Sequence, residues 1–136
     1  MIKPINRDTT LLSQKSIPAT KQDTEIITNL IDTLEFYKDH CVGMAANMIG
    51  VNKRILVFQL GMIPIPMVNP VITKKSGKYT AKEGCLSLDG ERSVTRYKDI
   101  EVQYQDANFS SHTQIFTEFI AEIIQHEMDH FEGVLI

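Results

Sequence analysis

The chain has no tryptophan, only two cysteines among its 136 residues, and no excess of positive charge. Two cysteines are too few for a disulfide scaffold, so Cys41 and Cys85 are expected to be buried, reactive or metal-bound. Lys and Arg number 14 against 17 Asp and Glu, a net charge of −3, which argues against direct nucleic-acid binding or an anionic membrane surface. Long apolar runs are missing as well. The longest, Ile55–Val68, is interrupted by Gln59, Pro64 and Pro66, so no membrane span is expected. Met1-Ile2-Lys3-Pro4 is followed by no apolar stretch of the kind that opens a secretion signal, and the expected location is the cytoplasm.

What is present suits one globular unit over residues 1–136. The hydrophobic fraction is 43% and the charged fraction 23%. The first twenty or so residues, with Pro4 and Pro18, read as an irregular arm. Thr20 to Tyr37 reads as an amphipathic helix, because Ile26, Ile27, Leu30, Ile31, Leu34 and Tyr37 recur at helical spacing. Thr20 with Asp23 has the form of a capping box. Strands are expected at Arg54–Leu60, at Met67–Ile72 and within Val94–Gln105, the second at a sheet edge because Pro70 cannot donate to a ladder. Phe116, Phe119, Ile120, Ile123, Ile124 and Phe131 form a second helical stripe, with Thr117 as cap and Gly133 as stop. Two helices around several short strands predict an α+β fold rather than alternating βαβ units.

The chemistry concentrates near the C-terminal end of that stripe. His126-Glu127-Met128-Asp129-His130 is an HExxH pattern. Histidines four residues apart on a helix lie on one face and reach a single ion, and the intervening glutamate can act as general base. His126 lies three residues after Ile123 and seven after Phe119, so both histidines continue the inward face. Two buried histidines and a glutamate are costly without partners, and a metal ion satisfies them. The motif lies close to Ile136, so a third ligand is sought upstream among His40, Cys41, Cys85 and His112. Cys85 is best placed, in Glu83-Gly84-Cys85-Leu86-Ser87 between two strand candidates, and a thiolate suits iron or zinc.

These residues carry a resemblance to the peptide deformylases. His126-Glu127-Met128-Asp129-His130 matches the family's HExDH helix, Glu83-Gly84-Cys85-Leu86-Ser87 its EGCLS segment, and Gly43-Met44-Ala45-Ala46-Asn47-Met48-Ile49-Gly50 resembles its GΦxAAxQ segment. The resemblance implies a deformylase-like fold, with mixed or antiparallel strands around the HExxH helix and a helix near the N-terminus. It implies a hydrolase that removes the formyl group from the N-terminal formylmethionine of nascent polypeptides, at the ribosome and as a monomer. Cys85, His126 and His130 would hold the metal, ferrous iron with zinc or nickel as substitutes. Glu127 would be the base, the Leu86 backbone N–H an oxyanion donor, and Glu83 with Arg96 a structural ion pair. Gly43, Met44 and Ile123 would lie beside the substrate.

The sequence departs from that pattern at three positions. The family's glutamine, an oxyanion donor, aligns with Met48, whose thioether cannot donate a hydrogen bond. Cys41 stands where the family usually has glycine. Glu122, one turn before His126, falls where the family lines its methionine pocket with apolar side chains. Two further readings follow: an amide hydrolase of the same fold acting on another N-acyl substrate, and a non-catalytic paralogue whose metal is closed off by Cys41. Arg92 reads as a solvated surface residue.

Overall fold

A computed structural model describes residues 1–136. Five antiparallel strands form one sheet in the order β1-β2-β3-β4-β5: β1 Gly43–Ala45, β2 Ile55–Leu60, β3 Ile63–Cys85, β4 Leu88–Gln105 and β5 Ser111–Thr117. Three helices complete it: α1 Thr9–Leu12, α2 Thr24–Phe36 and α3 Glu118–Phe131. The α+β class expected from the sequence is present, and the two longest strands are far longer than the segments that periodicity marks.

Strand β2 explains how the layers stack. Its buried run Ile55-Leu56-Val57-Phe58 does not alternate with polar residues, because both faces are covered. Leu56 and Phe58 join Ala121, Ile123, Ile124 and Phe131 of α3 in one core cluster. Ile55 and Val57 join Ile27, Leu30 and Leu34 of α2 in the other. A strand buried on both faces reads as a continuous apolar run. The two histidine-bearing turns of α3 are therefore held against the sheet by the same residues that build the core.

Pro70 does not mark an edge. Strand β3 lies between β2 and β4, and Pro70 falls where the β3–β4 register slips between Val68 and Val71. The residue before it, Asn69, takes a left-handed φ of 51°. A bulge of this kind is the place within a sheet where a missing N–H is tolerated. Pro64 and Pro66 sit in the segment of β3 that pairs with β2 alone, at alternate positions, so both missing donors fall on one side of the strand.

The N-terminal segment is irregular except for one turn of helix, and it is packed onto the fold instead of standing free. It contains α1, capped by the Asp8 side chain on the Thr10 N–H, and it fully buries Leu12. Its Asn6 N–H bonds the Met48 carbonyl at 2.7 Å, and Arg7 Nη1 donates to the Leu86 carbonyl at 3.0 Å. The expected second helix begins as a 3₁₀ turn at Lys21–Asp23, with the Thr20–Asp23 capping box in place, before α2 proper.

The last helix begins at Glu118, where the Thr117 cap position predicts, although two phenylalanines of the stripe do not join its inward face. Phe116 belongs to β5, and Phe119 is 58% exposed rather than inward. Thr117 makes no side-chain cap, and the strand turns into α3 through Glu118 at φ 53°. After α3 the chain reverses at Gly133, with φ 74°. A Cβ there would stand 2.2 Å from the Ser13 carbonyl oxygen, so glycine permits the close approach of the N-terminal segment.

Candidate metal centre and active-site cleft

The HExxH turns of α3 present His126, Glu127 and His130 to the tight β3–β4 hairpin, whose turn is Leu86-Ser87. The ligand atoms of Cys85, His126 and His130 lie within 4.8 Å of one another. The Cys85 Sγ to His130 Nε2 separation is 3.5 Å, and the two imidazole centroids are 5.0 Å apart. One thiol and two imidazoles converging from two elements are the donor types that zinc and iron accept.

The surrounding hydrogen bonds orient these groups. His126 Nδ1 lies 2.7 Å from Glu83 Oε1, which leaves Nε2 to face the centre. Such a carboxylate–histidine pairing fixes the ring of a metal ligand. Glu83 is held in turn by Arg96, whose Nη2 and Nε donate at 2.6 and 2.9 Å, and Arg96 Nη1 reaches Asp129 at 2.7 Å. Glu83 and Arg96 thus form the ion pair that the resemblance implies, and Asp129 of the HExxH turn is its third member. Asn47 Nδ2 donates to the His130 carbonyl at 3.0 Å, tying the segment after β1 to the helix.

The charges follow from burial and partners. Burial works against ionised Glu83, but hydrogen bonds from His126 and Arg96 override it and bring its pKa down to about 2. Burial likewise works against charged His126, and bonds to Cys85 and Glu83 override it, up to about 10. Burial, with the charges of His126 and Arg96 beside it, brings His130 down to about 3, in the neutral form that ligates metals. Burial pushes Glu127 up to about 7. The Glu127 Oε1 and His130 Nδ1 atoms are buried without any hydrogen-bond partner, and Glu127 Oε1 stands 4.0 Å from His130 Nε2.

A cleft of about 600 Å³ opens over this centre. Gly43, Met48, Cys85, Leu86, Glu122, Ile123, His126 and Glu127 all line it. Gly43 is needed for space: a Cβ would stand 2.5 Å from Ile123 Cγ2 and 3.1 Å from Glu127 Oε2. Met44 is not in the wall; its side chain is fully buried in the α2-side core. Glu122 faces the cleft instead of solvent and accepts a hydrogen bond from the Tyr79 hydroxyl at 3.0 Å. Arg7 and Phe119 also line the cleft. Sequence reasoning misses both, because Arg7 lies far from any motif and Phe119 fits the inward stripe by spacing.

The remaining candidates separate. His40 and Cys41 lie in the cleft wall, but the Cys41 thiol donates to the Gly43 carbonyl at 2.7 Å and is outside the ligand grouping. Burial pushes that thiol up to about 12. His112 is away from the centre and pairs with Asp106 at 2.7 Å. Arg92 is not in the cleft wall.

A buried carboxylate with a free oxygen beside a thiol–imidazole centre, open to a cleft, has the parts for hydrolysis and more than a structural ion requires. Fold and site together define the class as a metal-dependent hydrolase. The comparisons with known proteins agree. A family model described as polypeptide deformylase matches residues 2–136. A peptide deformylase of Clostridium beijerinckii is 58% identical over 136 residues, covering all of both chains. The crystal structure of peptide deformylase from Thermotoga maritima superposes with a TM-score of 0.89 at 29% identity, covering 99% of this chain and 95% of that one. A Met-Ala-Ser-bound class I type b peptide deformylase from Acinetobacter baumannii gives 0.87 at 25% identity, over 99% and 96%. This chain belongs to the polypeptide deformylase family, hydrolases that depend on a metal and remove the N-formyl group from nascent polypeptides.

Proposed function

We propose that this chain works as a monomeric cytoplasmic deformylase, a single catalytic domain over residues 1–136. Its substrate is the N-terminal formylmethionine of nascent chains at the ribosome. Cys85, His126 and His130 would hold the ion, which we assign as ferrous iron, with zinc or nickel able to substitute. The convergence of these three ligand atoms within 4.8 Å is the observation that carries the reading. The fit is supported by a buried orphan at the same place, Glu127 Oε1, 4.0 Å from His130 Nε2. When bound, the ion supplies Lewis-acid activation of water and of the formyl carbonyl.

The chain's own residues supply the rest. Glu127, buried and raised in pKa, takes a proton from the attacking water and delivers it to the departing amine. The Leu86 N–H, on the hairpin turn that Arg7 holds through the Leu86 carbonyl, donates to the developing oxyanion. Gly43 gives the substrate backbone room beside Glu127, and Ile123 lines the neighbouring wall. Met48 occupies the position of the family's second oxyanion donor without replacing its hydrogen bond, which predicts slow turnover.

A second reading has one observation of its own. Glu122 in the cleft wall favours an N-acyl substrate whose side chain is polar rather than methionine. Formate release from formyl-Met-Ala-Ser separates the two, using anaerobic protein loaded with ferrous iron and a Glu127→Ala control. Turnover lost in the control supports deformylation. A better rate on another acyl-peptide would favour the second reading.

A further inference from the structure

Met48 has a feature that loss of a hydrogen-bond donor does not explain. Its Sδ lies 3.9 Å from the Cys85 Sγ. Two sulfurs bound to one tetrahedral zinc ion, each ~2.3 Å from it, stand ~3.8 Å apart. The thioether is therefore spaced from the thiol as a second sulfur donor on the same ion would be.

Its position is also fixed. Met48 sits in the 3₁₀ turn Ala46–Ile49, only 1% exposed. The Ala45 N–H donates to Sδ at 3.4 Å, which occupies one sulfur lone pair, and Asn6 N–H bonds the Met48 carbonyl at 2.7 Å. The other lone pair faces Cys85, whose thiol is its partner here. If Cys85 held an ion as thiolate, that S–H would be gone and the second lone pair would be left free beside the centre.

We propose that Met48 supplies a fourth, weak thioether donor to the ion held by Cys85, His126 and His130, turning the site toward thiophilic ions, cuprous copper above all. One thiolate, two imidazoles and a weak thioether are the donor set that copper takes in electron-transfer sites, and soft sulfur donors favour cuprous copper and zinc over harder ions. A thioether is a weak ligand, so water can displace it and hydrolysis remains open. The inference rests on the reading of Cys85, His126 and His130 as the metal site.

The test counts sulfur neighbours by X-ray absorption at the zinc edge, on zinc-loaded wild-type protein and on Met48→Leu and Met48→Gln. Leucine keeps the apolar volume, and glutamine is the family's residue. Two sulfurs in the wild type and one in each variant are expected. In competition with a chromophoric cuprous chelator, the wild type is expected to hold copper about tenfold more tightly than Met48→Leu. One sulfur in the wild type, or equal copper affinities in folded proteins, overturns the proposal while leaving the three-ligand site standing. Failure of the wild type to retain zinc at all overturns both.

Discussion

Glu83 Oε1 accepts from Arg96 Nη2 at 2.6 Å and lies 2.7 Å from His126 Nδ1, so one carboxylate oxygen links the buried arginine to the first histidine of the candidate metal centre. The consequence is a ring that cannot turn. Glu83 supplies the acceptor for Nδ1, and that sends Nε2 toward Cys85. Replacing Glu83 by Gln keeps the shape but removes the charge that holds both partners. Loss of such an outer partner typically costs about 10–100-fold in metal affinity or activity. Zinc titration of Glu83→Gln is expected to show weakening in that range, and an unchanged affinity would refute the orienting role.

Met48→Gln restores an amide donor at the wall of the cleft. One oxyanion donor is typically worth about 10²–10³ in rate. Formate release is expected to rise at least tenfold in this variant. A folded Met48→Gln protein with unchanged or lower turnover would count against the donor account of this position.

Gly43→Ala brings a methyl group against Ile123 Cγ2 and Glu127 Oε2. Overpacking of this kind costs about 1–3 kcal/mol. The expected result is a lower thermal midpoint together with a fall in kcat at least tenfold, because Glu127 must give way. Full activity with an unchanged midpoint would show that β1 can retreat from α3 freely.

Glu122→Leu makes the cleft wall apolar and removes the acceptor of the Tyr79 hydroxyl. Setting an apolar side chain against a half-buried carboxylate leaves part of its hydration unreplaced, at a cost of about 1 kcal/mol. The ratio of kcat/KM for formyl-methionyl over formyl-glutaminyl peptides is expected to rise about tenfold. A ratio that does not move would mean that Glu122 stands outside the pocket for the first side chain.

Chelation tests the ion's share of stability. An ion bound only by the folded chain adds about 2.7 kcal/mol when its concentration is a hundredfold above Kd. Removing it from the site of Cys85, His126 and His130 should lower the thermal midpoint by several degrees, read by circular dichroism, and ferrous iron or zinc should restore it.

The two histidines of the candidate metal centre were legible from spacing alone, because i and i+4 on a helix share a face whatever the surroundings. His126 and His130 do share one, and the apolar stripe through Ile123 and Ile124 correctly placed that face inward. The Thr20–Asp23 capping box and the α+β class were legible for the same reason, since each depends on neighbours in sequence. Cys85 could be ranked first among upstream ligands, but its meeting with His130 at 3.5 Å depends on a hairpin register between β3 and β4 that no local pattern encodes.

Everything decided by packing between distant segments had to come from the tertiary structure. Pro70 signals an edge when only its missing N–H is considered, and it is central because a bulge absorbs that loss. Phe119 fits the inward stripe by spacing, yet the helix begins at Glu118 and leaves it at the mouth of the cleft. Glu122 could have faced either way, and Tyr79, brought over from β3, accounts for its direction. Met48 read as a missing donor in the sequence, and only the fold set its sulfur beside Cys85. The sequence by itself determined which groups are candidates for the chemistry, because residue type and helical spacing are local. The tertiary structure decided which of them meet, because that depends on strand register and on how β2 is buried between two helices.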